Sequence, residues 1–93
     1  MVYVIIGGND RMVHKYCQLC KSKNCKAKVF TQPDANLRSK IGNPDLMVLF
    51  TNTVCHKMVS TALQQAQKND IKVLRSHSSS ASALKKMLDE NIL

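Results

Sequence analysis

Leu46–Val59 reads LMVLFTNTVCHKMV, an apolar block that runs straight into a polar knot and then into a helix. Leu46–Phe50 is apolar at every position, so both sides of the run need cover, and five residues is strand length rather than helix length. After TNTVCHK, the residues Val54, Met58, Val59, Ala62, Leu63 and Ala66 recur at three- and four-residue spacing through about Asn69, which draws one buried stripe on a helix. A two-sided strand feeding a helix is the unit of a parallel sheet covered on both faces.

The rest of the chain repeats that unit. Downstream, Ile71–Leu74 reads as a strand, and the serine-rich RSHSSSAS leads into a helix with Ala81, Leu84, Met87, Leu88 and Ile92 on its apolar side. Upstream, Val2–Ile6 (VYVII) is a β-rich run stopped by Gly7 and Gly8. From Asp10, Val13, Tyr16, Cys17 and Cys20 mark a helical stripe, with Asn9 or Asp10 as its N-cap and two cysteines toward the core. Cys25–Phe30 is a partly alternating second strand, and Ala35–Ile41 makes two helical turns with Leu37 and Ile41 inward. Gly42 is placed to end those turns in the left-handed conformation. The pattern is βαβαβαβα over residues 1–93, one α/β domain whose simplest strand order is 2-1-3-4 with right-handed crossovers.

Composition narrows the partners. Fourteen Lys and Arg against six Asp and Glu give a formal net charge of +8, which favours anionic partners. Tyr3, Tyr16, Phe30 and Phe50 are the whole aromatic set, so no platform for stacking bases is evident. The first residues, MVYVIIGGNDR, show neither a basic lead nor a span of roughly 20 apolar residues. The expectation is a cytoplasmic protein without a membrane segment, whose four cysteines stay as thiols. A four-stranded sheet has two edges, and homodimerisation is one way to cover an edge.

In such a sheet ligands bind beyond the carboxyl ends of the strands, where the winding reverses between strands one and three. The turns there are Gly7–Arg11, Thr31–Asp34, Thr51–Lys57 and Ser76–Ser80, and they carry Asp10, Arg11, Cys55, His56, His77 and many hydroxyls. GGNDR resembles half of a dinucleotide fingerprint but lacks GxGxxG and an acid at the end of strand two, and no P-loop pattern is present. Cys55 and His56 open the third helix, whose unpaired N–H groups favour a thiolate and a neutral imidazole. Ser76–Ser80, with Arg75 and Arg11 nearby, suit either a phosphate or plain capping of the last helix. His56 and His77 sharing a metal with Asp10 or Cys55 is a further alternative. So is a zinc held by His14, Cys17, Cys20 and Cys25, an HxxCxxCxxxxC arrangement, although both middle cysteines fall on a helix stripe rather than a turn.

VIIGG, KAKVFTQ, IGNPDLMVLFTNTVCHKMV and IKVLRSHSSSASALKKML together resemble a family of small bacterial proteins grouped as a domain of unknown function. The family pattern is strand-Gly-Gly, then Asp-Leu-Val, then Thr-x-x-x-Ser-His before a helix. The resemblance implies a Rossmann-like or flavodoxin-like three-layer sandwich, and matches Gly7 and Gly8, Asp45, Thr51, His56 and Ser78–Ser80 to its motifs. Cys55 stands where that pattern has serine, which argues against an essential thiolate and favours His56. The fold also resembles the phosphocarrier domains of sugar transport, but those place a cysteine directly after strand one, where this chain has Gly7-Gly8-Asn9.

These readings converge on a small anion, carrying phosphate or carboxylate, held at the rim by Gly7, Gly8, Asn9, Arg11, Thr51, Asn52, His56, Ser78, Ser79 and Ser80. The alternatives are an enzyme or metal site centred on His56, or a nucleic-acid module using the lysine-rich surface, for which affinity would fall steeply with salt.

Overall fold

The computed structural model describes residues 2–32, 35–51, 56–78 and 80–91. Strands β1 (Val2–Ile6), β2 (Lys26–Phe30), β3 (Leu46–Phe50) and β4 (Lys72–Ser76) form one sheet of order β2-β1-β3-β4, and every neighbouring pair is parallel. Helices α1 (Val13–Ser22), α2 (Leu37–Ile41), α3 (His56–Lys68) and α4 (Ala81–Asn91) connect and follow the strands, and a 3-10 turn, Asp10–Met12, precedes α1.

Strand position follows side-chain chemistry. All five residues of β3, and four of the five in β1, are buried, because both strands are central and have helices on each side. The lysine-bearing strands KAKVF and KVLRS take the two edges, where charge discourages pairing with another sheet. Alternate residues point to opposite faces. Tyr3, Ile5, Leu46, Val48 and Phe50 meet Tyr16 and Cys20 of α1 and Leu84 and Leu88 of α4. Val4, Ile6, Met47 and Leu49 meet Leu37 and Ile41 of α2 and Met58, Ala62 and Ala66 of α3. Two helices therefore cover each face.

Several boundaries differ from the sequence reading for identifiable reasons. β4 ends at Ser76 rather than Leu74, since Arg75 pairs with Leu49 and Ser76 with Phe50. The rim turn read as Ser76–Ser80 therefore begins one residue later, at His77, and Ser76 is a strand residue. Cys25 lies just before β2, where its N–H donates to the Cys20 carbonyl at 2.9 Å. That bond closes α1 with Asn24 at φ 60, and Asp70, at φ 54, plays the same part after α3, where the Ile71 N–H reaches the Ala66 carbonyl at 2.8 Å. Both are short-polar residues that tolerate the left-handed region in place of glycine. Gly42 has the positive φ expected of it, but with ψ −131 it leaves the left-handed helical well.

Asp45 fastens β3 to β1: its carboxylate accepts from the Val2 N–H at 2.7 Å and its N–H donates to the Val2 carbonyl at 2.8 Å. The acid before strand three is thereby a register pin.

The thiols divide by burial. Cys20 is fully buried and Cys25 nearly so, while Cys17, on the same helical stripe, is half-exposed. Burial pushes the Cys20 thiol from its ordinary 9.0 up to about 12, helped by Cys25 and Cys17, and the Tyr3 phenol from 10.0 to about 12, again chiefly by burial. Both groups are neutral when protonated, so their raised values stabilise the fold fully below about pH 9, and this stability is lost as pH rises toward 12. Site-resolved alkylation at pH 8 should modify Cys17 while sparing Cys20 and Cys25, and circular dichroism should show unfolding setting in above pH 9. Equal labelling of Cys17 and Cys20 in the folded protein would contradict the assigned burial.

Candidate functional site

Parallel strands in register bring their carboxyl ends to one edge. Ile6 sits beside Phe30 and Leu49, and Phe50 beside Ser76, so the turns that follow the four strands share one rim. Two backbone bonds hold the strand ends together across it: the Gly7 N–H donates to the Phe30 carbonyl and the Thr51 N–H to the Ser76 carbonyl, each at 2.8 Å.

The first turn is shaped from below. Gly8 has φ +91, and a Cβ there would lie 2.8 Å from Tyr16 Cε2 and 2.9 Å from its hydroxyl. Tyr16 is wholly buried and packs against Phe50 with ring centroids 5.3 Å apart at 38°. The glycine permits close approach to this aromatic pair. Gly7 commits its N–H to the strand ladder, so it is not a rim donor. Asn9 caps the 3-10 turn: its Oδ1 accepts from the Arg11 N–H at 2.9 Å and its carbonyl from the Met12 N–H at 2.8 Å.

Asp10 is tied sideways. Its two carboxylate oxygens accept from the Thr31 hydroxyl and, at 3.0 Å, from Gln32 Nε2, joining the β1 turn to the end of β2. Sequence reasoning placed Asp10 on the rim but missed these partners, which lie about twenty residues further along.

On the other side of the reversal point, Thr51 is exposed and its hydroxyl donates to the Ser76 carbonyl at 3.4 Å. His56 is the first residue of α3 and is exposed, as is His77 after β4. Asn52, Cys55 and Ser79 lie outside the described residues. The serine run forms a local capping network. Ser76 Oγ donates to the Ser78 carbonyl at 2.7 Å, Ser78 Oγ to Ser80 Oγ at 3.2 Å, and Ser80 Oγ accepts from the Ala83 N–H at 3.2 Å. Ser80 is thus the N-cap of α4, with its hydroxyl on the third helical residue. Ser80→Ala should cost about 0.5–2 kcal/mol in urea titration, with most of the loss restored by Ser80→Asp.

Among the described residues no three His, Cys, Asp or Glu side chains come together to hold a metal ion. Asp10, His56 and His77 therefore do not form a ligand group. Nor do His14, Cys17, Cys20 and Cys25, because the helix and the following turn bury Cys20 and Cys25 in the core. No helix among the described residues is long and apolar enough to cross a membrane.

Two grooves lie away from the rim. One, of about 470 Å³, is lined by Val2 of β1, Cys17 and Lys21 of α1, Cys25, and Lys26, Ala27 and Lys28 of β2. The other runs along α1 past His14, Cys17, Gln18, Lys21 and Ser22. In the sequence their signals are the lysines Lys21, Lys23, Lys26 and Lys28 and the His14 and Cys17 of the HxxCxxCxxxxC run.

The four-stranded parallel sheet, with two helices on each face, defines a Rossmann-like domain. A solved structure of the same architecture is a de novo designed Rossmann 2x2 protein, determined by solution NMR. The two are 18% identical, cover 97% of this chain and 86% of that one, and superpose with a TM-score of 0.61, a likeness that shows the fold alone. No curated protein matches the chain significantly. The chain belongs to the family described as an uncharacterized protein conserved in bacteria (DUF2325), which it matches over residues 3–91.

Proposed function

We propose that this is a cytoplasmic ligand-binding or regulatory domain that holds a small anion, carrying phosphate or carboxylate, at the carboxyl edge of its sheet. The observation that carries the reading is the strand order β2-β1-β3-β4, whose winding reverses between β1 and β3, the position at which doubly wound sheets take ligands. Asn9 and Arg11 follow β1, Thr51 and His56 follow β3, and Ser78 and Ser80 follow β4.

The bonds already made decide which donors serve. The N–H groups of Gly7 and Arg11 and the hydroxyl proton of Thr51 are spent within the protein, so the anion is met by other side chains: the Arg11 guanidinium as a charged fork, the Asn9 amide and the His56 imidazole. The net charge of +8 draws anions toward the whole molecule.

The test is an equilibrium binding screen with inorganic phosphate, sugar phosphates, nucleotides and dicarboxylates. Binding at millimolar ligand or below, weakened about tenfold or more by Arg11→Ser and by His56→Ala without loss of thermal stability, supports the proposal. Blank results across the panel at millimolar ligand defeat it.

A further inference from the structure

We infer that the outer edge of β2 is a docking site for an acidic, extended polypeptide segment, which adds to the sheet as a fifth strand. β2 is terminal in the sheet, and an edge strand turns a row of backbone donors and acceptors outward. The 470 Å³ groove takes its apolar lining from Cys17, Cys25 and Ala27 on the α1 side of the sheet together with Val2 of the neighbouring strand, which suits alternate side chains of an added strand. Lys21, Lys26 and Lys28 border it. All three are exposed, and no carboxylate is among its lining residues. The neighbouring Lys23 is already paired with Asp89, and Lys28 Nζ reaches the Lys40 carbonyl at 3.4 Å, so Lys21 and Lys26 stand foremost for an incoming acid.

Charge and shape select among occupants. A second copy of this chain would bring its own Lys26 and Lys28 to the same edge, and like charges facing across a strand pair repel. A nucleic acid would meet the cations, but no aromatic residue lines the groove to stack its bases. An acidic strand satisfies the lysines, the backbone edge and the apolar lining together. The site lies toward the amino-terminal ends of the strands, away from the anion rim, and its test is independent of that proposal.

The probe is an eight-residue peptide of alternating Glu and Val, titrated into isotopically labelled protein. Amide shifts should concentrate on Lys26–Phe30 and α1. An alternating Glu-Pro peptide carries the same charge but has no N–H at every second residue and holds those residues at a φ of about −65°, short of strand geometry, and should bind at least tenfold more weakly. Lys26→Glu with Lys21→Glu should weaken the Glu-Val peptide at least tenfold, while Arg11→Ser leaves it unchanged. Equal affinity for the Glu-Pro peptide, shifts confined to the rim, tighter binding of a single-stranded oligonucleotide of equal charge, or self-association through β2 would each overturn the assignment.

Discussion

Phe50→Ala is expected to remove about 3–5 kcal/mol of stability, the largest loss from any single truncation of the core proposed here. Phe50 is the last residue of a central strand, has no exposed surface, and tilts against the buried Tyr16 ring at 5.3 Å. Truncation therefore loses transfer free energy and leaves a cavity walled by strand backbone on one side and by α1 and α4 on the other, neither of which can close in. Domains of this kind hold only about 5–15 kcal/mol in total, so the variant should melt roughly 12–40 °C lower, given about 4–8 °C per kcal/mol at this size. Urea midpoints with an unchanged slope would confirm a native-state effect. A loss below about 1 kcal/mol would show that Phe50 is not enclosed as described. Because Phe50 also supports the ring under Gly8, the β1 turn should loosen in the same variant, visible as faster amide exchange at Gly8 and Asn9 while Lys72–Leu74 of the far strand stay protected relative to them.

The sheet was legible because burial is written directly into side-chain type. LMVLF and VYVII are apolar throughout and so read as strands covered on both faces, the order 2-1-3-4 was the simplest for such a pattern, and the lysines of KAKVF and IKVL fit the edges it assigns. Helix stripes were readable for the same reason. What escaped was everything set by contacts between distant segments. Arg75 and Ser76 look like loop residues and are strand residues only because Leu49 and Phe50 lie beside them. Cys17 and Cys20 sit on one stripe, yet the roughly 60° between them around the helix leaves Cys17 at the groove and Cys20 in the core. Asp10 is a plausible ligand by type, but Thr31 and Gln32 occupy its oxygens. The rim itself followed from topology, whereas the β2 groove followed from how α1 lies across the sheet edge, which no local pattern encodes.

Gly8→Ala separates a glycine kept for a ligand from one kept for the fold, and the geometry predicts the second. At φ +91 an alanine carries backbone strain of about 1–2 kcal/mol. Its Cβ would also fall 2.8 Å from Tyr16 Cε2, and Tyr16 is buried against Phe50 and cannot swing away, which adds an overpacking cost of about 1–3 kcal/mol. The sum, about 2–5 kcal/mol, should appear as a lowered urea midpoint with no ligand present. A double-mutant cycle isolates the steric part: in a Tyr16→Leu background, Gly8→Ala should cost only the backbone strain, so the two substitutions together should be less damaging than their separate losses added. If Gly8→Ala instead melts with the parent protein but no longer binds anions, the close approach that matters is to the ligand, and the aromatic pair beneath the turn is incidental.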